Sequence, residues 1–373
     1  MSVGVRHLYV HLPFCAHRCG YCDFVTVVGR EAQHGVYVDA LLAELELEWP
    51  SLAPQLDTAF LGGGTPTFTE SGELERLLHA LPPARELTVE ANPETVTQEL
   101  ARMLRRSGVN RVSLGVQSFQ PHLLQVLERV AQPDTVRRAF YHLRDAGFDN
   151  ISFDLIYGIP GQSAAALEAD LREALDLGPE HLSCYELEAK PGTRFTHVHG
   201  AELARQAEAM ETYFELVVER LTGVGYRWYE TANFCSASPL RDLRAQHNLA
   251  YWLGRDYLGI GIGAVSTIGS RRWRNTPRLA AYIQSLDAGE RPVRKVEPLS
   301  ADVLRRERLM LGLRLDEPLG LAELGSVVDP SALLRLQRLG LLRSGRDGTG
   351  APTLELTPRG RLLGGGVTAD LLA

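Results

Sequence analysis

Residues 9–24 limit what this chain can fold around more than any other stretch of it. They carry Cys15, Cys19 and Cys22 at a C-x3-C-x2-C spacing on one short loop. A [4Fe–4S] cube has four irons, and protein thiolates usually ligate each of them. Three cysteines close together with no fourth nearby leave one iron open to a small molecule. The alternative is a zinc knuckle completed by His11 or His17. Structural zinc prefers four tetrahedral ligands in paired C-x2–4-C blocks, and the sequence has no second block. The spacing therefore favours the cluster.

At 373 residues the chain has ample length for a buried core and for more than one domain. Its net charge of −7 argues against a nucleic-acid surface as its main business. Of five cysteines, three are clustered, which fits a cofactor and a reducing compartment better than a disulfide framework. Cys184 and Cys235 have no metal-ligand partners nearby in sequence and read as free thiols, the first in a strand and the second in a loop. Residues 1–7 lack the apolar core of a signal peptide, and no window is apolar for long enough to span a bilayer. The expectation is a cytoplasmic protein with no transmembrane segment.

Through the first two thirds, apolar runs at 8–12, 58–61, 86–91, 111–116, 151–155 and 181–187 alternate with helical patterns at 37–49, 98–107, 135–146 and 164–177. Six such strands predict repeated βα units, a parallel sheet and an α/β fold. Short continuous apolar strands suggest a sheet covered on both faces. Because most of them end in residues that carry chemistry, a partial (β/α) barrel fits, with its site at the carboxyl ends. Periodicity alone leaves a doubly wound open sheet equally open. Residues 1–225 are assigned to this barrel and 226–286 to an extension of it. The charged, proline-bearing run at 287–298 reads as a linker. Residues 299–373 then read as a small winged-helix-like α+β module, with helices at 301–313, 319–327, 331–339 and 359–363 and a strand at 354–356.

The strand ends hold the candidate site. Gly62-Gly63-Gly64-Thr65-Pro66 follows the second strand and would let a ligand approach the backbone closely. Glu90 ends the third strand, where a carboxylate can accept hydrogen bonds from ribose hydroxyls. Gln117 ends the fourth, with Arg129 one helix later. Asp154 sits among Ile151, Phe153, Leu155 and Ile156 on the fifth, and a buried acid is expensive without partners. A surface salt bridge for Glu90 and an ordinary buried ion pair for Asp154 are the bland readings.

Together, Tyr9, the cysteine triad, the Gly-Gly-Gly-Thr-Pro run, Glu90, Gln117, Arg129 and Asp154 resemble the oxygen-independent coproporphyrinogen III oxidase family of radical S-adenosylmethionine (SAM) proteins. The resemblance runs from residue 8 to about residue 276, and more loosely beyond. It implies a partial barrel whose open end holds a [4Fe–4S] cluster on Cys15, Cys19 and Cys22. SAM would bind the open iron and contact Tyr9, Tyr21, Gly64, Thr65, Glu90, Gln117, Arg129 and Asp154. Two departures point away from the oxidase and towards the HemW-type haem chaperone branch. Phe24 stands where the oxidase has a further cysteine, and Cys15 comes too early to leave room for the oxidase's N-terminal extension. His247-Asn248-Leu249-Ala250-Tyr251-Trp252 carries that branch's H-N-x-x-Y-W pattern. On a helix His247 and Tyr251 share one face, as do Asn248 and Trp252, and the four are the candidate haem contacts. Val265 stands where many relatives have histidine. The branch implies haem as cargo, a haem-accepting protein, respiratory and at the membrane surface, and an electron donor. Radical decarboxylation of coproporphyrinogen III, or radical SAM chemistry on another substrate, are the alternatives.

Overall fold

A computed structural model of the chain describes residues 4–190 and 194–372. Its main sheet has nine strands: β1 (His7–Leu12), β2 (Leu56–Gly63), β3 (Ala84–Ala91), β4 (Arg111–Gln117), β5 (Ile151–Tyr157), β6 (His181–Glu186), β7 (Tyr226–Glu230), β8 (Asn233–Ser236) and β9 (Leu258–Ile260). Their order across the sheet is β9-β1-β2-β3-β4-β5-β6-β8-β7. From β9 through β6 every neighbouring pair is parallel, and β8 runs antiparallel to both β6 and β7. Strands β1 to β6 follow one another in both sequence and space. A doubly wound sheet needs a point where the order reverses, so the strand order selects the partial barrel. Right-handed crossovers then place the connecting helices on one face of the sheet.

Local chemistry sets the helix ends. Ser163 accepts a hydrogen bond from the Ala166 amide at the start of Ala164–Leu177, and Gly178 closes that helix at φ 70°. Thr97 likewise caps Gln98–Arg106.

Side-chain alternation explains where the core lies. Outward residues such as Val10, Leu61, Val89, Leu114, Phe153 and Leu182 are fully buried against helix residues including Leu41, Leu77, Leu104 and Phe140. The alternate positions face the barrel interior: Thr58 and Phe60, Glu86 and Glu90, Arg111 and Ser113, Asp154, His181 and Ser183. The expectation of strands apolar on both faces is therefore corrected. One face is apolar and covered by helices, and the other is a polar interior.

The expected linker is also structured. Helix Leu279–Asp287 leads into strand Arg294–Pro298, which pairs antiparallel with Arg271–Asn275; that strand pairs in turn with Val265–Ile268. Two of its charges serve buried partners, since Arg291 reaches Glu48 and the Arg294 guanidinium reaches Glu48, Glu44 and Asn275 and lies over the Trp273 ring. Cys235 falls within β8 rather than in a loop, and is buried.

The C-terminal module has its own leucine-rich core and a three-stranded sheet of Leu319–Gly320, Pro352–Leu356 and Leu342–Arg346. Helices Ala301–Gly312, Pro330–Arg338, Pro358–Leu362 and Gly364–Leu371 pack around it. The helix expected at 319–327 is a two-residue strand followed by two 3₁₀ turns. Strand Leu342–Arg346 and the last helix had no clear sequence signal. The module is tied to the barrel by Arg227–Asp316, by Arg314–Glu230, and by Arg361, which stacks 3.7 Å over Trp228. Among the described residues no helix is long and apolar enough to cross a membrane.

Candidate functional site

The cysteine loop leaves the carboxyl end of β1. Phe14–Cys15 pairs with Val27–Val28, and His11 Nε2 bonds the Val25 carbonyl oxygen at 2.8 Å, which pins the loop's base. Within the loop the Cys22 amide donates to the Cys19 carbonyl at 3.1 Å. All three thiols are half-buried and free.

The glycine run is dictated by how closely this loop approaches. A Cβ on Gly63 would lie 2.4 Å from the His11 ring, and Gly63 already has φ 112°. A Cβ on Gly64 would lie 2.5 Å from the backbone of Pro13. Only glycine fits at either place. The next residue joins the cysteines to the sheet. The Thr65 amide donates to the Phe14 carbonyl at 2.8 Å, and Thr65 Oγ1 lies 3.6 Å from Cys15 Sγ. Asn92 Nδ2 donates to the same Thr65 oxygen at 2.9 Å, and Asn92 Oδ1 accepts from Arg129 at 2.7 Å. Arg129 also donates to the Gly115 carbonyl at 2.8 Å and lies 3.8 Å from Cys19 Sγ. The contacts Cys15–Thr65–Asn92–Arg129–Cys19 thus close a ring from one thiol to another.

Gln117 has φ 68°, in the left-handed region that a non-glycine residue seldom occupies. It follows a register shift between β4 and β5 at Gly115/Gln117. The kink aims the Gln117 amide over Gly115, where a Cβ would meet Gln117 Nε2 at 3.0 Å and Asn92 Oδ1 at 3.2 Å. Strained backbone of this sort clusters at functional sites.

These groups line a cavity of about 480 Å³ at the open end of the barrel. It brings together the cysteine triad, Tyr21, Gly64, Thr65, Glu90, Gln117, Arg129, Asp154 and Asn248. Tyr9, His247, Tyr251 and Trp252 do not line it. Tyr9 sits behind Phe60 and bonds His11 Nδ1 through its hydroxyl at 3.1 Å. His247 is 1 % exposed and stacks on Phe60. Both of its nitrogens are taken, Nδ1 by Thr58 Oγ1 at 2.7 Å and Nε2 by the Tyr251 hydroxyl at 2.8 Å. Burial pushes its pKa down to about 3, so it is neutral and has no lone pair to spare. Trp252 turns to the C-terminal module, with Arg314 4.5 Å over its ring. Of the H-N-x-x-Y-W pattern, only Asn248 reaches the cavity.

Among the lining residues that sequence reasoning passed over are Asn92, Arg111, Ser113 and Ser183. Asn92 stood inside the Glu90 motif, and the strand alternation that places Arg111 and Ser113 inward was readable once the interior was known to be polar.

Burial raises the pKa of the Cys15 and Cys22 thiols. Their thiolates are therefore costly unless a cation sits among them, and iron supplies that charge. The donor set fits a cluster bound at the loop. Burial, and then the neighbouring Asp154, pushes Glu90 up to about 7. Asp154 is also raised by burial, although Ser183 and Ser113 hydrogen-bond it. An acid whose folded pKa lies above its unfolded value contributes stability at low pH and loses it as pH rises through the folded pKa. Between pH 5 and pH 8 Glu90 therefore becomes a burden. Glu90→Gln should raise the melting temperature at pH 8 and change it little at pH 5. Equal shifts at both pH values in a calorimetric scan would refute this assignment.

The Radical SAM superfamily pattern matches residues 9–174. The haem chaperone HemW of Mycobacterium tuberculosis H37Rv is 38% identical over 378 residues, covering 98% of this chain and 94% of the relative. The Bacillus subtilis HemW is 33% identical over 99% of both chains, and the Escherichia coli K12 HemW is 37% identical over 69% of this chain and 68% of its own. Among solved structures, the radical SAM enzyme coproporphyrinogen III oxidase (HemN) of Escherichia coli superposes with a TM-score of 0.79 at 24% identity, over 98% of this chain and 90% of that one. The last comparison concerns the fold alone. The agreement of sequence along almost the whole chain with that fold and with a three-cysteine cavity leads to one conclusion: the chain belongs to the HemW haem chaperone family of the radical SAM superfamily.

Proposed function

We propose that this protein is a cytoplasmic haem carrier that binds one [4Fe–4S] cluster through Cys15, Cys19 and Cys22, holds SAM beside it, and delivers haem to a haem-requiring protein. The observation that carries the reading is the ring from Cys15 through Thr65, Asn92 and Arg129 to Cys19. It couples the cluster loop to the groups that would bind SAM, so a ligand at one is felt at the other. When bound and reduced, the cluster supplies an electron that can cleave SAM's sulfonium bond. Arg129 offers a guanidinium to a carboxylate beside Cys19, and Glu90, Gln117 and Asp154 offer acceptors and an amide to a ribose. Phe24 is 64 % exposed at the cavity mouth and presents an aromatic face to an apolar macrocycle.

An electron donor and a respiratory acceptor at the membrane surface complete this reading. His247 takes a supporting part in it. With both nitrogens bonded, it holds Phe60 and Tyr251 in place and does not ligate haem iron. The test is an anaerobic haem titration of cluster-loaded protein, following the Soret band, beside His247→Ala. Wild type should bind haem stoichiometrically. The variant should keep the Soret position while melting at a lower temperature. A Soret shift in His247→Ala would restore the histidine as an iron ligand, and no uptake by wild type would sink the chaperone reading.

A further inference from the structure

The floor of the cavity holds a cation that no side chain pairs with directly. Arg111 begins β4, is 2 % exposed, and reaches up the polar interior to line the same cavity as the cysteines. Its Nε has no hydrogen-bond partner, and among the described residues no carboxylate lies within ion-pair distance of its guanidinium. Burying an arginine costs several kcal/mol when nothing pairs with it, so this arrangement needs an explanation.

The three acids around Arg111 are each engaged elsewhere. Glu86 accepts from the Gln246 and His247 amides at 3.1 Å each, and so caps the helix Gln246–Trp252. Glu90 accepts from the Gly63 amide at 3.1 Å. Asp154 is held by Ser113 and Ser183. The guanidinium favours the charged form of all three acids through space, yet none accepts a hydrogen bond from it. Asn248 and Tyr185 line the cavity with it and are both able to donate. A donor-rich floor around an unpaired fork matches a carboxylate, which a guanidinium binds with two parallel bonds.

We propose that Arg111 is the anchor for a carboxylate of a ligand held inside the barrel. Two ligands of the proposed function bring that group: haem through its propionates, and SAM through its methionine carboxylate. Arg129, beside Cys19, is already placed for the second, and Arg111 lies apart from the cysteine loop at the start of β4, which favours a propionate of the cargo. The naming of the cargo rests on the chaperone reading; the carboxylate site does not.

The test compares wild type with Arg111→Met as cluster-loaded full-length protein, with iron content and melting temperature recorded for both. Affinity is measured for haem, for haem dimethyl ester, in which the propionates are masked, and for SAM. Arg111→Met should weaken haem at least tenfold and leave the ester and SAM within twofold. Weakened SAM with unchanged haem would keep the carboxylate anchor and make SAM its source. Equal losses for haem and its ester, or no loss for any probe, would overturn the proposal. If wild type takes up no haem, the chaperone reading falls, and unchanged SAM binding in the variant then overturns the Arg111 site as well. Should Arg111→Met fail to fold, Arg111→Lys carries the comparison, because it keeps the charge and loses the fork. It should weaken haem several-fold and spare the ester.

Discussion

Alanine at Cys15, Cys19 and Cys22 together should leave a folded protein with no iron–sulfur absorbance, and any one of the three substitutions should strip most of it. Each thiol occupies a separate corner of the arrangement: Cys15 faces Thr65, Cys19 faces Arg129, and Cys22 is turned by the bond of its amide to the Cys19 carbonyl. None of the described residues near the loop is a spare thiol, since Cys184 and Cys235 are buried in strands β6 and β8. The polypeptide itself should survive the loss. The loop lies at the barrel's open end and contributes few apolar contacts to the core, whereas Phe14 before it is buried against Tyr37 and His34. The three substitutions should therefore cost less than about 2 kcal/mol of apoprotein stability. Iron and sulfide analysis after anaerobic reconstitution, with circular dichroism alongside, reads both parts. Retention of near-stoichiometric iron in the triple variant would refute these ligands. A mononuclear zinc peak in wild type would return the knuckle.

How far the sequence foretold this structure depends on whether a signal was local. The cysteine spacing and the motif at each strand end are local, and Gly64, Thr65, Glu90, Gln117, Arg129 and Asp154 all meet at one cavity. The βα rhythm was local too, and all six barrel strands fall where apolar runs predict them. What escaped notice depends on partners far away in the chain. Glu86 is only the first residue of a predicted strand, but it caps a helix 160 residues later. Arg111 sits at the start of an apolar strand and gives no hint that it points inward. His247 belongs to a recognisable pattern, yet Thr58 and Tyr251 absorb both nitrogens, and no spacing rule reveals that. Charge misled in the same way at 287–298. A run with Arg291 and Arg294 looks solvated until the acids these two serve are found on another element.

Those acids set the second large effect. Glu44 is fully buried on helix His34–Glu48 and gathers four donors from the far end of the barrel. Oε2 accepts from the Gly261 amide at 2.8 Å and the Tyr282 hydroxyl at 2.6 Å, and Oε1 from Asn275 at 2.7 Å and, more distantly, Arg294 at 3.4 Å. One carboxylate thereby joins the turn after β9, strand Arg271–Asn275, helix Leu279–Asp287 and strand Arg294–Pro298. Glu44→Ala strands the Gly261 amide and the Tyr282 hydroxyl in the interior and leaves Asn275 and Arg294 with only their other partners, Gly261 and Glu48. Breaking such a group costs about 3–5 kcal/mol, which for a chain of this size lowers the melting temperature by about 4–6 °C. The damage should travel to the cofactor. Gly261 stands against His11 and Tyr37, and Gly263 against Val25, whose carbonyl holds the base of the cysteine loop through His11. Loosening that turn should speed loss of the cluster in air before the protein melts. Glu44→Gln keeps the shape but turns an amide NH2 towards donors, so it should recover only part of the loss. An alanine variant that melts within 2 °C of wild type, or a glutamine variant equal to wild type, would mean that packing and not this carboxylate holds the far end of the barrel to the cluster loop.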